Sequence, residues 1–432
     1  MGLRTIFKRI YEGNMYFIDV FAGCGGLSLG LMNAGLVGLI AIEKNPMAFE
    51  TLRHNLIDGE DKHFEWPDWL PKKAMTCEYF LENYASEIIK LKGKVDVLVG
   101  GPPCQGFSVA GKRNSEDPRN KMASKYLELV KILSPKYLVI ENVSGFNMPF
   151  KSVADETVSK NIAYSDYICS ELVKLGYAVS RGKVNCADFG VPQNRHRYLI
   201  MCTRDKDVNL ISDLIGSKKM FLESKGLNVQ RPVSVHEAIA DLETQDRNFI
   251  RNNESGRGLF REAEYVELDI RSPYLSLMRS GVSYAPNSRR LPNHKPETIL
   301  HFLRVKLASE PGRSLSKSAR DKLGIKKHAI TVLGKDLPAP TITTLPDDII
   351  HYSELRILTV RETARLQSFP DWFEFIGKYT TGGKMRKADC PRYTQVGNAV
   401  PPMLSEAIGV VIGTCEQSNM EISSENYGKV KL

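Results

Sequence analysis

Residues 16–43 constrain the fold most. Tyr16-Phe17-Ile18-Asp19-Val20-Phe21 is an apolar run of strand length, broken by Ala22-Gly23-Cys24-Gly25-Gly26. Leu27-Ser28-Leu29-Gly30-Leu31-Met32-Asn33-Ala34-Gly35 follows as a helix that ends at Gly35. Val37-Gly38-Leu39-Ile40-Ala41-Ile42-Glu43 is a second strand with an acid at its tip. Strand, glycine turn, helix, strand and acid make one nucleotide-binding βαβ half. The glycines let the backbone approach a ligand at the helix N-terminus, and the acid can bond a ribose hydroxyl. The turn is not a dinucleotide fingerprint, because G-x-G-x-x-G needs glycine where Ser28 stands. Phe21, just before the turn, offers an aromatic edge to an adenine. The pattern D-x-F-x-G-x-G-G therefore fits S-adenosylmethionine better than NAD.

Val95-Asp96-Val97-Leu98-Val99 reads as a buried strand running into Gly100-Gly101-Pro102-Pro103-Cys104-Gln105-Gly106-Phe107-Ser108. Two prolines stiffen this loop, and its glycines admit a ligand close to the backbone. Cys104 is placed like a nucleophile. A small thiol packed under a turn is the commoner use of a lone cysteine. A helix over 122–133 leads to the strand Lys136-Tyr137-Leu138-Val139-Ile140, which ends in Glu141-Asn142-Val143. A helix over 167–175, a turn, and the stretch 184–197 then lead to a strand over 198–202. Such alternation predicts an open α/β sheet whose ligands sit at the carboxyl ends of the strands. Phe21, Glu43, Cys104 and Glu141 all stand at such ends, which predicts one shared cleft.

After Arg204 the rhythm stops, and it resumes with a helix over 359–367 and a last apolar helix opened near Gln395. The insert carries the charge. From Pro286 to Lys335 there are twelve basic residues, Arg289 and Arg290 among them, against Glu297, Glu310 and Asp321. That segment equals the whole net charge of +9. A polyanion is the implied partner, and charge alone leaves a solvated surface as an equal reading. Apolar content of 42% and charged content of 25% are those of a soluble globular chain. No apolar run approaches a membrane span, and the start has neither a secretory h-region nor a myristoylation signal. None of the eight cysteines forms a Cys-x-x-Cys pair, so a reduced, cytosolic chain without a metal is expected.

FIDVFAGCGGLSLGL, GGPPCQGFS, ENV, DFGVPQNRHR, RETARLQSFP and QVGNAVPPML stand in this order along the chain. Together they resemble the DNA (cytosine-5)-methyltransferases of bacterial restriction-modification type, over nearly the whole chain except roughly 205–337. The resemblance implies an α/β fold: a Rossmann-like S-adenosylmethionine-dependent methyltransferase sheet with a second, smaller and irregular target-recognition domain. The expected division is 1–204 catalytic and cofactor-binding, 205–388 target recognition, and 389–432 returning to the catalytic domain. One departure is visible. The family carries an acid after its third strand for the adenine, and the matching place near Thr76-Cys77-Glu78 has no Asp.

The resemblance also assigns roles. Cys104 would add to carbon 6 of a flipped-out cytosine, a step for which the thiolate is the reactive form. Glu141, if burial favours its acid form, would act at nitrogen 3. Asn142 would hold the loop, and Arg195 and Arg197 would contact the pyrimidine oxygen and the site backbone. The methyl donor, S-adenosyl-L-methionine, would lie over Phe21, Gly23, Cys24, Gly25, Gly26, Leu27 and Pro102, with Glu43 on the ribose and Asn398 and Val400 closing the site. S-adenosyl-L-homocysteine would be the product. Gln105 and Ser108, then Lys112, Arg113 and Arg119 in a closing loop, then Arg289 and Arg290 would meet double-stranded DNA. Arg361 and Arg365, four apart on one helical face, are expected to tie the domains together. A cytoplasmic, nucleoid-associated monomer without membrane contact is expected, with a cognate restriction endonuclease acting separately.

A tRNA cytosine methyltransferase on the same catalytic domain is the main competing reading, but those relatives lack a large recognition insert. A non-catalytic DNA-binding relative would lack the cysteine or the glutamate. A dinucleotide oxidoreductase is opposed by Ser28 and Cys104.

Overall fold

The computed structural model describes residues 14–59, 64–102, 120–147, 163–255, 260–327, 329–379 and 389–429. Its centre is a six-stranded sheet of β1 (Tyr16–Val20), β2 (Val37–Ile42), β3 (Val97–Gly100), β4 (Tyr137–Asn142), β5 (Ala178–Asn185) and β6 (His196–Thr203). The spatial order is β2-β1-β3-β4-β6-β5. The first four are parallel, and β6 runs antiparallel to both neighbours. β3 is buried at every position, as expected of a parallel strand covered on both faces.

The expected βαβ half is present. The first helix, α1 (Gly26–Asn33), connects β1 to β2 and is buried along nearly its whole length. Such burial is affordable only because a second helix lies directly on it. A Cβ at Gly30 would sit 2.3 Å from the carbonyl oxygen of Pro402, the first residue of the long C-terminal helix. Gly30 thus sets the approach between the first helix and the last. Leu29, Leu31, Leu404 and Ile408 share one core on this face. On the other face, α2 (Asn120–Leu133) and α3 (Tyr164–Lys174) bury Leu127, Val130, Ile168 and Leu172 against the sheet.

One expectation changes. The turn read between Tyr177 and Val184 is instead β5, paired along its length with β6. Arg181 and Lys183 face solvent, and the opposite side carries Ser180 and Gly182, the latter against Ile211, so its inward face reads as barely apolar. Packing continues past Arg204. Residues Leu210–Gly216 form α4, whose Leu210, Ile211 and Leu214 join the core beneath the sheet. The separate core of the insert is small, centred on Phe302, Val305, Leu315, Ile330, Val332, Ile350 and Ile357. Residues 392–419, a short helix and the start of the long C-terminal one, are together long and apolar enough to span a membrane by composition. The protein buries 83% of their most apolar window, which makes them core helices.

Arg361 and Arg365, expected to tie two domains together, find their partners within 205–388. Both lie on α5 (Val360–Leu366), opened by a capping box between Thr359 and Glu362, and both are fully buried. Arg361 donates to carbonyls of Asn287, Pro370 and Phe373. Arg365 binds Asp241 and Asp371. Both arginines thereby hold the segments around 238–241, 287 and 360–373 together.

Candidate active site

The carboxyl ends of β1 to β4 open into a cavity of about 490 Å³. It lies where the strand order reverses, between β1 and β3, the place where open α/β sheets bind their ligands. Phe21, Gly23, Cys24, Leu27, Glu43, Pro102, Glu141, Arg195, Arg197, Asn398 and Val400 all line it. Gly25 and Gly26 shape its wall without facing it: Gly25 turns the chain at φ 96°, and a Cβ on Gly26 would meet the Val400 carbonyl at 2.4 Å. Cys104, Gln105, Ser108, Lys112, Arg113 and Arg119 lie outside the described residues.

The donor side is built from the glycine turn. Phe21 takes φ 66°, unusual for a residue with a Cβ, and its side chain faces the cavity. Glu43 closes the turn from β2. One carboxyl oxygen accepts the Gly23 N–H at 3.0 Å and the other the Asn45 N–H at 2.7 Å. Burial pushes the Glu43 carboxyl up, and those two N–H groups oppose the rise. Met75, Thr76, Cys77 and Glu78 complete this end. The missing Asp therefore leaves a wall of different side chains at the expected place.

Asp19 has no expected role, yet it is fully buried and lines the cavity. Ser28 donates to one of its oxygens at 2.6 Å, and the other, Oδ1, has no partner. An orphaned carboxylate oxygen beside a glycine turn fits the ammonium of a methionine moiety. The signal in the sequence was the Asp that begins D-x-F-x-G-x-G-G. Burial raises its carboxyl to about 7. A cation bound there selects the ionised form, so donor affinity should rise with pH through about 7 and level off above it. Titration calorimetry at about pH 6 and about pH 8 should differ about tenfold, and Asp19→Asn should remove the difference.

The substrate side is built from β4 and β6. Glu141 ends β4 and meets Arg197 Nε at 2.5 Å. Its other oxygen lies against Gly101, where a Cβ would come within 3.2 Å. The Glu141 carboxyl is thus held by a cation as well as by burial. Asn142 donates to the Pro102 carbonyl at 3.1 Å, tying β4 to the loop that leads to Cys104, as expected of it. Arg195 donates to the carbonyls of Ile342, Gly397 and Ala399 at 2.9, 3.0 and 3.1 Å. Burial, with Arg197 nearby, lowers its guanidinium to about 9. Its bonds make it the clamp that sets Asn398 and Val400 against the cavity.

Three further thiols line the cavity: Cys24, Cys77 and Cys390. Burial pushes Cys77 and Cys390 up to about 12, and Cys24 higher still. None is a thiolate at neutral pH, so none of them suits a nucleophile. In the insert, Arg289 is committed internally, to Glu262 at 2.7 Å and to the carbonyls of Ala263 and Pro286.

A Rossmann-like sheet with a donor turn on β1 and an acid–arginine pair on β4 and β6 is the architecture of a methyltransferase. The chain belongs to the C-5 cytosine-specific DNA methylases, whose family profile matches residues 15–414. It is 31% identical over 407 residues to the Type II methyltransferase M.DdeI of Desulfomicrobium norvegicum, covering 91% of this chain and 87% of that one. It is 30% identical over 406 residues to M1.HphI of Haemophilus parahaemolyticus, covering 93% and 88%. The fold is shared with the crystal structure of a DNA modification methyltransferase encoded within an E. coli prophage. There the TM-score is 0.61 at 23% identity, with 94% of this chain and all of that one covered.

Proposed function

We propose that this chain methylates carbon 5 of one cytosine within a short double-stranded DNA sequence, as a member of a restriction-modification pair. The observation that carries the reading is the meeting of two half-sites in one cavity: Asp19, Phe21 and Glu43 on the donor side, Glu141 and Arg197 on the other. When bound, S-adenosylmethionine supplies an electrophilic methyl group.

The chain's own residues do the rest. The cytosine must leave the duplex, at an expense of a few kcal/mol that DNA contacts offset. Cys104 adds as thiolate to carbon 6, while Glu141 places a proton at nitrogen 3 to take up the ring's electron pair. The resulting enamine carries its electrons to carbon 5, which takes the methyl group. A base then removes the proton from carbon 5, the carbon–sulfur bond breaks to restore the Cys104 thiolate, and nitrogen 3 returns its proton to the Glu141 carboxylate. Arg197 keeps the Glu141 carboxyl in place, and Asn142 fixes the Pro102 end of the nucleophile's loop. The insert of 205–388 supplies target recognition, and the enzyme works as a monomer in the cytoplasm of a bacterial cell.

Duplex DNA containing 5-fluorocytosine tests the covalent step, because fluorine cannot leave carbon 5 as the proton does. With the donor present, a protein–DNA adduct that survives denaturing gel electrophoresis should accumulate. No adduct from an otherwise active enzyme would overturn the covalent route.

A further inference from the structure

The insert holds a second cavity, about 530 Å³, beside the first. Tyr393, which lines it, shares the short helix Arg392–Asn398 with Gln395 and Asn398 of the donor cavity. Its wall contains an alternating stack of rings and guanidinium groups. Arg290 lies 4.0 Å from the ring centroid of Phe260 and 4.0 Å from that of Tyr379. Arg392 covers Tyr379 at 4.3 Å.

The two arginines differ in what surrounds them. Arg392 is neutralised by Glu254 and donates to Ser288 Oγ, Tyr379 Oη and the Gly377 carbonyl. Arg290 has an ion pair or hydrogen bond to none of the described residues. Burial and the neighbouring Arg392 work against its charge, with Tyr379 and Tyr393 opposing. A half-buried cation without acceptors among the described residues is unfavourable in the free protein, and a ligand that brings acceptors relieves it. Both faces of the guanidinium are covered, so only its edge is available. That edge is a flat fork of donors.

We propose that Arg290 is a specificity-determining residue whose fork takes the O6 and N7 acceptors of a guanine in the recognition sequence. The inference rests on the duplex-DNA reading above. A backbone phosphate offers similar acceptors. Arg290 is held in plane between two rings and set back in a cavity, which suits the flat edge of a base, and the test separates the two.

Methylation of a pool of duplexes randomised around the wild-type site, read by bisulfite sequencing, tests this. Wild type should require guanine at one position. Arg290→Ala should relax that position alone, with discrimination falling about 10- to 100-fold. Arg290→Lys keeps the cation in the stack but not the fork, and it should relax the same position. An unchanged sequence preference in both variants overturns the proposal. So does a uniform loss of affinity across all sequences with a salt dependence shallower by about one contact, which marks a phosphate ligand. If Arg290→Ala does not fold, as judged by thermal melting, Arg290→Lys decides. Wild type that methylates no duplex overturns the parent reading instead, and is thereby distinguished.

Discussion

Cys104→Ser is expected to lower methyl transfer at least about 10⁴-fold while leaving donor binding within about twofold. Carbon 5 of cytosine is a weak nucleophile until something adds to carbon 6. A thiol ionises near pH ~8.5, whereas a serine hydroxyl stays protonated in the absence of a strong adjacent base. The other thiols of the cleft cannot substitute, because burial holds Cys24, Cys77 and Cys390 protonated. Glu141→Gln should cost about 10²- to 10⁴-fold, since an amide neither supplies the nitrogen-3 proton nor pairs with Arg197. The double variant should fall little below Cys104→Ser alone, because both groups serve one step. Single-turnover transfer of a labelled methyl group measures the rate, and calorimetry with the donor measures binding.

Arg365→Met should have the largest effect on stability, about 3–5 kcal/mol, read as a lower urea midpoint. Arg365 binds Asp241 at 2.9 Å through Nη2 and Asp371 at 2.9 and 2.7 Å, and all three side chains are fully buried. It also donates to the Ala238 carbonyl. Removing the cation leaves two carboxylates in the interior with reduced compensation. Burial alone would raise the Asp371 carboxyl, but Arg365, Arg361 and Arg279 outweigh it and hold the group below its ordinary value of 3.8. Its share of stability is therefore present above about pH 4 and lost as the pH falls further. Asp241→Asn, added to Arg365→Met, should recover part of the loss, whereas Asp371 must stay to compensate Arg361 and Arg279.

The donor half was legible because its signal is local. A strand, a glycine turn, a helix and a terminal acid fall within 28 consecutive residues, and the cavity contains them in that arrangement. Glu141 and Asn142 could be read from the end of one apolar run. The partners of Arg365 could not, since Asp241 lies 124 positions away and only the folded chain brings it near. The same limit hid the carbonyls that clamp Arg195. Adjacent Arg289 and Arg290 look alike in sequence, yet one is neutralised by Glu262 and the other is left open between two rings. β5 escaped because its inward side carries Ser180 and Gly182, too little apolar surface to show the alternation. Asp19 escaped because an acid inside an apolar strand reads as an interruption until its unpaired oxygen is seen facing a cavity.

The most direct measurement is a bisulfite map of DNA from cells expressing the chain. The expected result is 5-methylcytosine at one position of one short sequence, and nowhere in cells expressing Cys104→Ser. DNA without cytosine methylation in any context, or methylation found only in RNA, would contradict it.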